Sequence, residues 1–277
     1  MGYVDFILNL AGLLLWLNWR SVRFDPLGKR KPATLMGTLR PASPKRLRRW
    51  HLLVFIAVLL LLRALAYYWL GGKIWAGKLD LGVTVLSFRS DWFLRMLAFS
   101  VLSFGLSLAV FYLALLALSL ISGPEPIHGM VKIPLGWVDD WPKWTKVVLP
   151  PVVIIGGWLL AGALLVWLQV LPPAISFSQR LEQAAVIAAG GFLVWKFPLG
   201  AILVLYLLNS YIYFGTHPFW KYVNTTGQKL LRPVRSLPFP LRFGRADFAP
   251  LVALGLIFLT AELADRGLVW LYGRLPL

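Results

Sequence analysis

Long apolar blocks constrain this chain more than any other feature. They run from about Tyr3 to Trp19, Leu52 to Leu70, Trp92 to Ile121, Val147 to Leu171, Gln183 to Phe214 and Phe248 to Tyr272. A hydrocarbon core about 30 Å thick is crossed by about 20 apolar residues of helix, and the backbone polar groups inside it must be paired within the protein. With 59% hydrophobic and only 14% charged residues, the chain carries more apolar surface than a soluble core takes up. The blocks therefore predict an all-α, polytopic membrane protein of about six transmembrane helices.

Two blocks have features of their own. The first has a length that suits a signal peptide but lacks a basic start and an A-x-A cleavage site, so it reads as a retained helix whose depth of insertion its short length leaves open. In the fifth, Lys196-Phe197-Pro198 is expected to kink the helix, or to split it into a short interfacial piece and a span, because proline lacks the N–H that would continue the ladder.

Charge orients the spans. The connection from Trp19 to His51 holds ten Lys and Arg, Arg40, Arg48 and Arg49 among them, against Asp25 alone. The connection from Gly215 to Asp247 holds six, including Arg232 and Arg235, against Asp247. With six spans both fall on one side, and the positive-inside rule makes that side cytoplasmic, which puts both termini outside. The net charge of +17 thus reflects topology and anionic lipid before nucleic acid, and DNA attachment is disfavoured. Tryptophans and tyrosines near the block ends, such as Trp50, Trp69, Trp144 and Trp270, form an aromatic belt.

An internal repeat is visible at the level of hairpins. Leu17-Asn18 and Leu208-Asn209 close a span, and Leu39-Arg40-Pro41 and Leu231-Arg232-Pro233 then precede a basic stretch and the next span. The middle region has the same plan, with a proline-containing connection, so three degenerate hairpins are expected, over 1–72, 92–171 and 183–277.

The last hairpin carries His217-Pro218-Phe219, Leu231-Arg232-Pro233-Val234-Arg235-Ser236 and Asp247-Phe248-Ala249-Pro250. In these about sixty residues the chain resembles the YggT family of small integral membrane proteins, with His217, Ser236 and Ala249 where the family has Asn, Arg and Ser. Family members typically have two hairpins, so the chain looks like an enlarged relative. The resemblance implies a role like theirs, in membrane-complex and cytochrome assembly in plastids or envelope organisation and osmotic tolerance in bacteria. A bacterial inner membrane location goes with it.

Several residues invite a specific role. Arg232 and Arg235, three apart, share one side of a short helix or turn at the membrane surface, where they can hold lipid phosphates or a partner's carboxylate. Asp247 is placed to cap the following helix. Arg63 lies within the second span, where a charge is costly unless paired, and it can snorkel outward or reach a carboxylate on a neighbouring helix. Glu262 or Asp265 in the sixth block is its expected partner, while Glu262 and Arg266, four apart, can pair along their own helix. His51, His128 and His217 fall one per hairpin in or beside cytoplasmic connections. A haem or metal held there is disfavoured, because no helix shows histidines at i, i+4, and interfacial placement among headgroups accounts for them. Gly156-Gly157, Gly190-Gly191 and Gly162 permit close helix contact.

No cysteine is present, so disulfides, thiolate metal sites and cysteine nucleophiles are excluded from this chain. No phosphate loop, nucleophile elbow or paired catalytic carboxylates occur, and no cofactor is expected. The leading reading is a non-enzymatic membrane accessory, a scaffold, assembly factor or subunit of a larger complex, with anionic lipids and other integral membrane proteins as partners. A small channel or carrier for ions or osmolytes is the alternative, drawn from the broken fifth block and Arg63 and weakened by the scarcity of polar residues inside the spans.

Overall fold

The computed structural model describes residues 2–21, 49–72, 75–121, 134–173, 176–212, 218–236, 242–243 and 246–274. These residues are mostly helical. By their internal contacts they form two units, Met1–Gly77 with Phe88–Leu108 and Lys78–Ser87 with Ala109–Leu277.

The first unit is built from helix α1 (Gly2–Ser21), helix α2 (Arg49–Leu70) and the first half of α3 (Phe93–Ile121). Helices α1 and α2 pack side by side. Gly12 lets α1 approach α3 so closely that a Cβ there would lie 2.7 Å from the Phe104 ring. Ser100 Oγ donates to the Leu60 carbonyl at 2.9 Å and ties α3 to α2.

A two-stranded sheet, β1 (Ala76–Asp80) and β2 (Val85–Arg89), occupies the connection before α3, which the sequence reading left without structure. Its side chains alternate, with Leu79, Leu86 and Phe88 buried while Lys78, Ser87 and Arg89 are exposed. The turn is closed by Gly82 at φ 85°, whose N–H is accepted by the Asp80 carboxylate at 2.8 Å.

The second unit continues α3 and adds a 3-10 turn at Gly136–Asp140, then α4 (Lys143–Trp167), α5 (Phe177–Leu193), α6 (Lys196–Tyr211), α7 (Pro218–Arg235) and α8 (Ala249–Arg274). The short strands β3 (Arg242–Phe243) and β4 (Ala246–Asp247) pair antiparallel just before α8. Helix α4 packs on α5, α5 on α8, and α6, α7 and α8 on one another. The α4–α5 contact crosses the expected boundary between the middle and last hairpins.

Among the described residues, five helices are long and apolar enough to cross a membrane: Gly2–Arg20, Trp50–Leu70, Phe93–Ile121, Lys143–Trp167 and the run Phe177–Tyr211. Helix α8 has 26 residues but places Glu262, Asp265 and Arg266 in its second half.

The expected break near Pro198 lies a little upstream, at Val194–Trp195, where the N–H groups of both residues turn back to the carbonyls three residues before them. Proline lacks an N–H and its ring crowds the carbonyl four residues earlier, here that of Val194. The two pieces are nearly equal, 17 and 16 residues, rather than a short piece and a span.

Candidate functional site

Three polar constellations interrupt the apolar packing. The deepest surrounds Arg63. Asp5 and Asn9 are four apart on α1 and therefore share a face, as Arg63 and Tyr67 do on α2. The Arg63 guanidinium donates to Asp5 Oδ1 at 2.6 Å, to Asn9 Oδ1 at 2.6 Å and to Ser103 Oγ at 3.0 Å. The Tyr67 hydroxyl donates to the same Asp5 oxygen, and Asn9 Nδ2 donates to Ser103 Oγ at 3.1 Å.

Aromatic rings enclose the cation. Its carbon lies 5.4 Å from the centre of the Phe99 ring and 5.6 Å from that of Tyr67, and Phe99 in turn meets Trp75 and Phe88. The Arg63 side chain is 1% exposed and that of Asp5 21%. Within this cluster the Arg63 Nε is buried without a hydrogen bond.

This corrects the expected pairing. Arg63 neither snorkels nor takes Glu262 or Asp265, because Asp5 and Asn9 deliver acceptors from the adjacent α1. Glu262 does pair with Arg266 along α8, at 3.0 Å, with both side chains well exposed.

The second constellation was not anticipated. Lys146, in the first turn of α4, donates from Nζ to Ser119 Oγ at 2.6 Å and to the Asp139 backbone carbonyl at 2.6 Å. Its ammonium also lies 3.3 Å from Asp139 Oδ1, which accepts from Ser119 Oγ at 2.5 Å. All three residues are buried. They join the end of α3, the 3-10 turn and the start of α4, and because the Ser119 proton is directed at Asp139 and its lone pair at an ammonium, the hydroxyl is held as a structural link rather than as a nucleophile.

The third constellation is the surface of α7. Val223, Thr226, Leu231 and Val234 recur at helical spacing and are buried, while Lys221, Lys229 and Arg232 lie exposed on the opposite side. Leu231 and Val234 join Leu203, Ala249 and Ala253 in one core, and Gly227 sits against Tyr206. The apolar face is thus consumed inside the protein, and the basic face is left outward.

Arg235 closes the inner edge of that face. Its guanidinium donates to Asp247 Oδ2 at 2.6 Å and to the Tyr206 hydroxyl at 3.4 Å. Partial burial opposes its charge, but Tyr206 and Asp247 outweigh this and raise its pKa above the usual value. Asp247 Oδ1 also accepts the Ala249 N–H at 3.0 Å, so this residue caps α8 as its sequence position predicts and anchors Arg235 as well. Arg235 therefore has a carboxylate of its own chain, and Arg232 is the member of the pair that faces outward.

Arg40, Arg48, His128 and His217 lie outside the described residues, as does the side chain of Arg49. His51 is exposed near the start of α2, and no group of three His, Cys, Asp or Glu close enough to hold a metal occurs among the described residues. Asp265 is half-buried on α8. The missed residues had a signal: Asp5 and Asn9 are polar residues at i, i+4 in an otherwise apolar helix, the pattern of a face turned to a polar partner. Comparison with protein families, with curated proteins and with solved structures finds no match to this chain.

Proposed function

We propose that this chain is a non-enzymatic integral membrane accessory, a scaffold, assembly factor or subunit that meets anionic lipid or an acidic partner through its basic surfaces. The observation that carries the reading is α7, whose Lys221, Lys229 and Arg232 face outward while its apolar face is used up against α6 and α8. A helix of this kind has no apolar face left to insert, so its contacts are electrostatic, and a basic segment beside a bilayer gains about 1 kcal/mol per Lys or Arg near an anionic surface. The YggT-like motif falls on the same helix and its junction with α8, which supports a shared role.

In this reading the membrane is a bacterial inner membrane, crossed six times with α8 as the last span, and the basic connections are cytoplasmic with both termini outside. The three-hairpin plan organises the spans.

Purification of the tagged full-length protein from its native membrane in mild detergent, followed by mass spectrometry, tests this. Recovery with a large complex, weakened in a K229Q/R232Q variant and at high salt, is the expected result. Recovery of the chain alone, with unchanged behaviour in that variant, would sink the accessory role and favour a small channel.

A further inference from the structure

We propose that the cavity where the ends of α4, α5 and α8 converge binds the phosphate group of a phospholipid headgroup. The inference rests on the membrane placement above but concerns a different surface from α7.

The cavity holds about 40 Å³, room for about three waters at 10–15 Å³ each, and so for a phosphate and its oxygens. Its polar side chains come from two elements: Gln179, Arg180 and Gln183 on the first turns of α5 and Tyr272 near the end of α8, with Trp158 of α4 as a largely apolar wall. Arg180 and Gln183, three apart, project to one side of their helix. No carboxylate lines the space.

Arg63, Arg95 and Arg235 each hold a carboxylate, whereas Arg180 makes no side-chain hydrogen bond or ion pair among the described residues. A half-buried guanidinium beside an amide and a phenol is a donor set suited to an anion, and arginine takes phosphate oxygens with two parallel N–H bonds.

Depth decides the source of the phosphate. The cavity lies beside the Leu171-Pro172-Pro173 turn and the last turn of α8, at helix ends, where headgroups lie if these helices cross a bilayer. The same ends expose Leu164, Trp167, Trp270 and Leu271, apolar surfaces for acyl chains.

The test is native mass spectrometry of the full-length protein in neutral detergent, titrated with short-chain phosphatidylglycerol, and separately with inorganic phosphate as competitor. One saturable lipid adduct is expected. R180Q should weaken it about tenfold, the loss of one charge-assisted contact, while R180K retains most of it and K229Q/R232Q leaves it unchanged. Y272F, which removes one donor and no charge, should weaken it about threefold and decides the matter if R180Q does not fold. Unchanged binding in R180Q and Y272F would overturn the site. Loss in K229Q/R232Q alone would move the lipid to α7, and displacement by equimolar inorganic phosphate would overturn the lipid in favour of the free anion.

Discussion

Asp5 and Arg63, 58 residues apart in the chain, meet at 2.6 Å between α1 and α2. This ion pair ties α1 to α2 at a helix whose apolar side chains are all exposed or only partly buried. Removing one member of a buried pair leaves the other uncompensated, a loss of about 3–5 kcal/mol, whereas replacing both by apolar groups of similar volume is often neutral. D5A should therefore lower the unfolding temperature in detergent sharply, and the double variant D5L/R63M should recover much of the loss. Additive losses in the two single variants and the double one would show that the residues do not act as a pair.

Lys146 and Asp139 give a second case with a different outcome for conservative change. K146M leaves the Asp139 carboxylate and the Ser119 hydroxyl buried beside a thioether, and a loss of roughly 3 kcal/mol is expected from the unpaired charge. S119A removes a hydroxyl but keeps the ion pair, so it should lose only about 1–2 kcal/mol. Chemical denaturation of both variants in the same detergent checks the ordering. Equal effects would mean that the buried ammonium contributes no more than the serine hydroxyl to holding the three segments together.

Much of the fold was legible because bilayer-length apolar blocks can be read directly, and the cap at Asp247 because an acid before a proline-containing helix start has one obvious local use. The break near Pro198 was legible for the same reason, as a local consequence of a missing N–H. Arg63 was recognisable as a buried charge, yet its partner was not, since choosing between Asp5, Glu262 and Asp265 requires knowing which helices touch. Lys146 was hidden differently: it stands at the edge of an apolar block, where a lysine normally reaches water. The β1–β2 sheet was obscured by its shortness and by Gly82 and Lys78 within a polar connection.

Gly227 tests whether α7 needs its tight seat. A Cβ there would lie 2.7 Å from Cγ and Cδ2 of Tyr206, the root of that side chain rather than its movable end, so α6 and α7 must separate. G227A should destabilise by about 1–3 kcal/mol, as overpacking does, even though alanine is the better helix former. Differential scanning fluorimetry in detergent gives the sign, and a stabilised variant would mean that α7 is not held against Tyr206 in solution.

The absence of cysteine from the whole chain makes its topology directly measurable. A single cysteine introduced at Ser87, exposed on β2, should react with a membrane-impermeant maleimide in intact cells, whereas one at Lys229, exposed on α7, should react only after the membrane is opened. The informative third position is Gly273, at the end of α8. Glu262, Asp265 and Arg266 in the second half of α8 raise the free energy of its insertion, and Glu262 offsets this by pairing with Arg266 on the same helix. If α8 is the sixth span, a cysteine at Gly273 labels from outside like one at Ser87. Labelling from inside, like Lys229, would make α8 a helix held on the cytoplasmic face with α7, leave five crossings, and put the two termini on opposite sides.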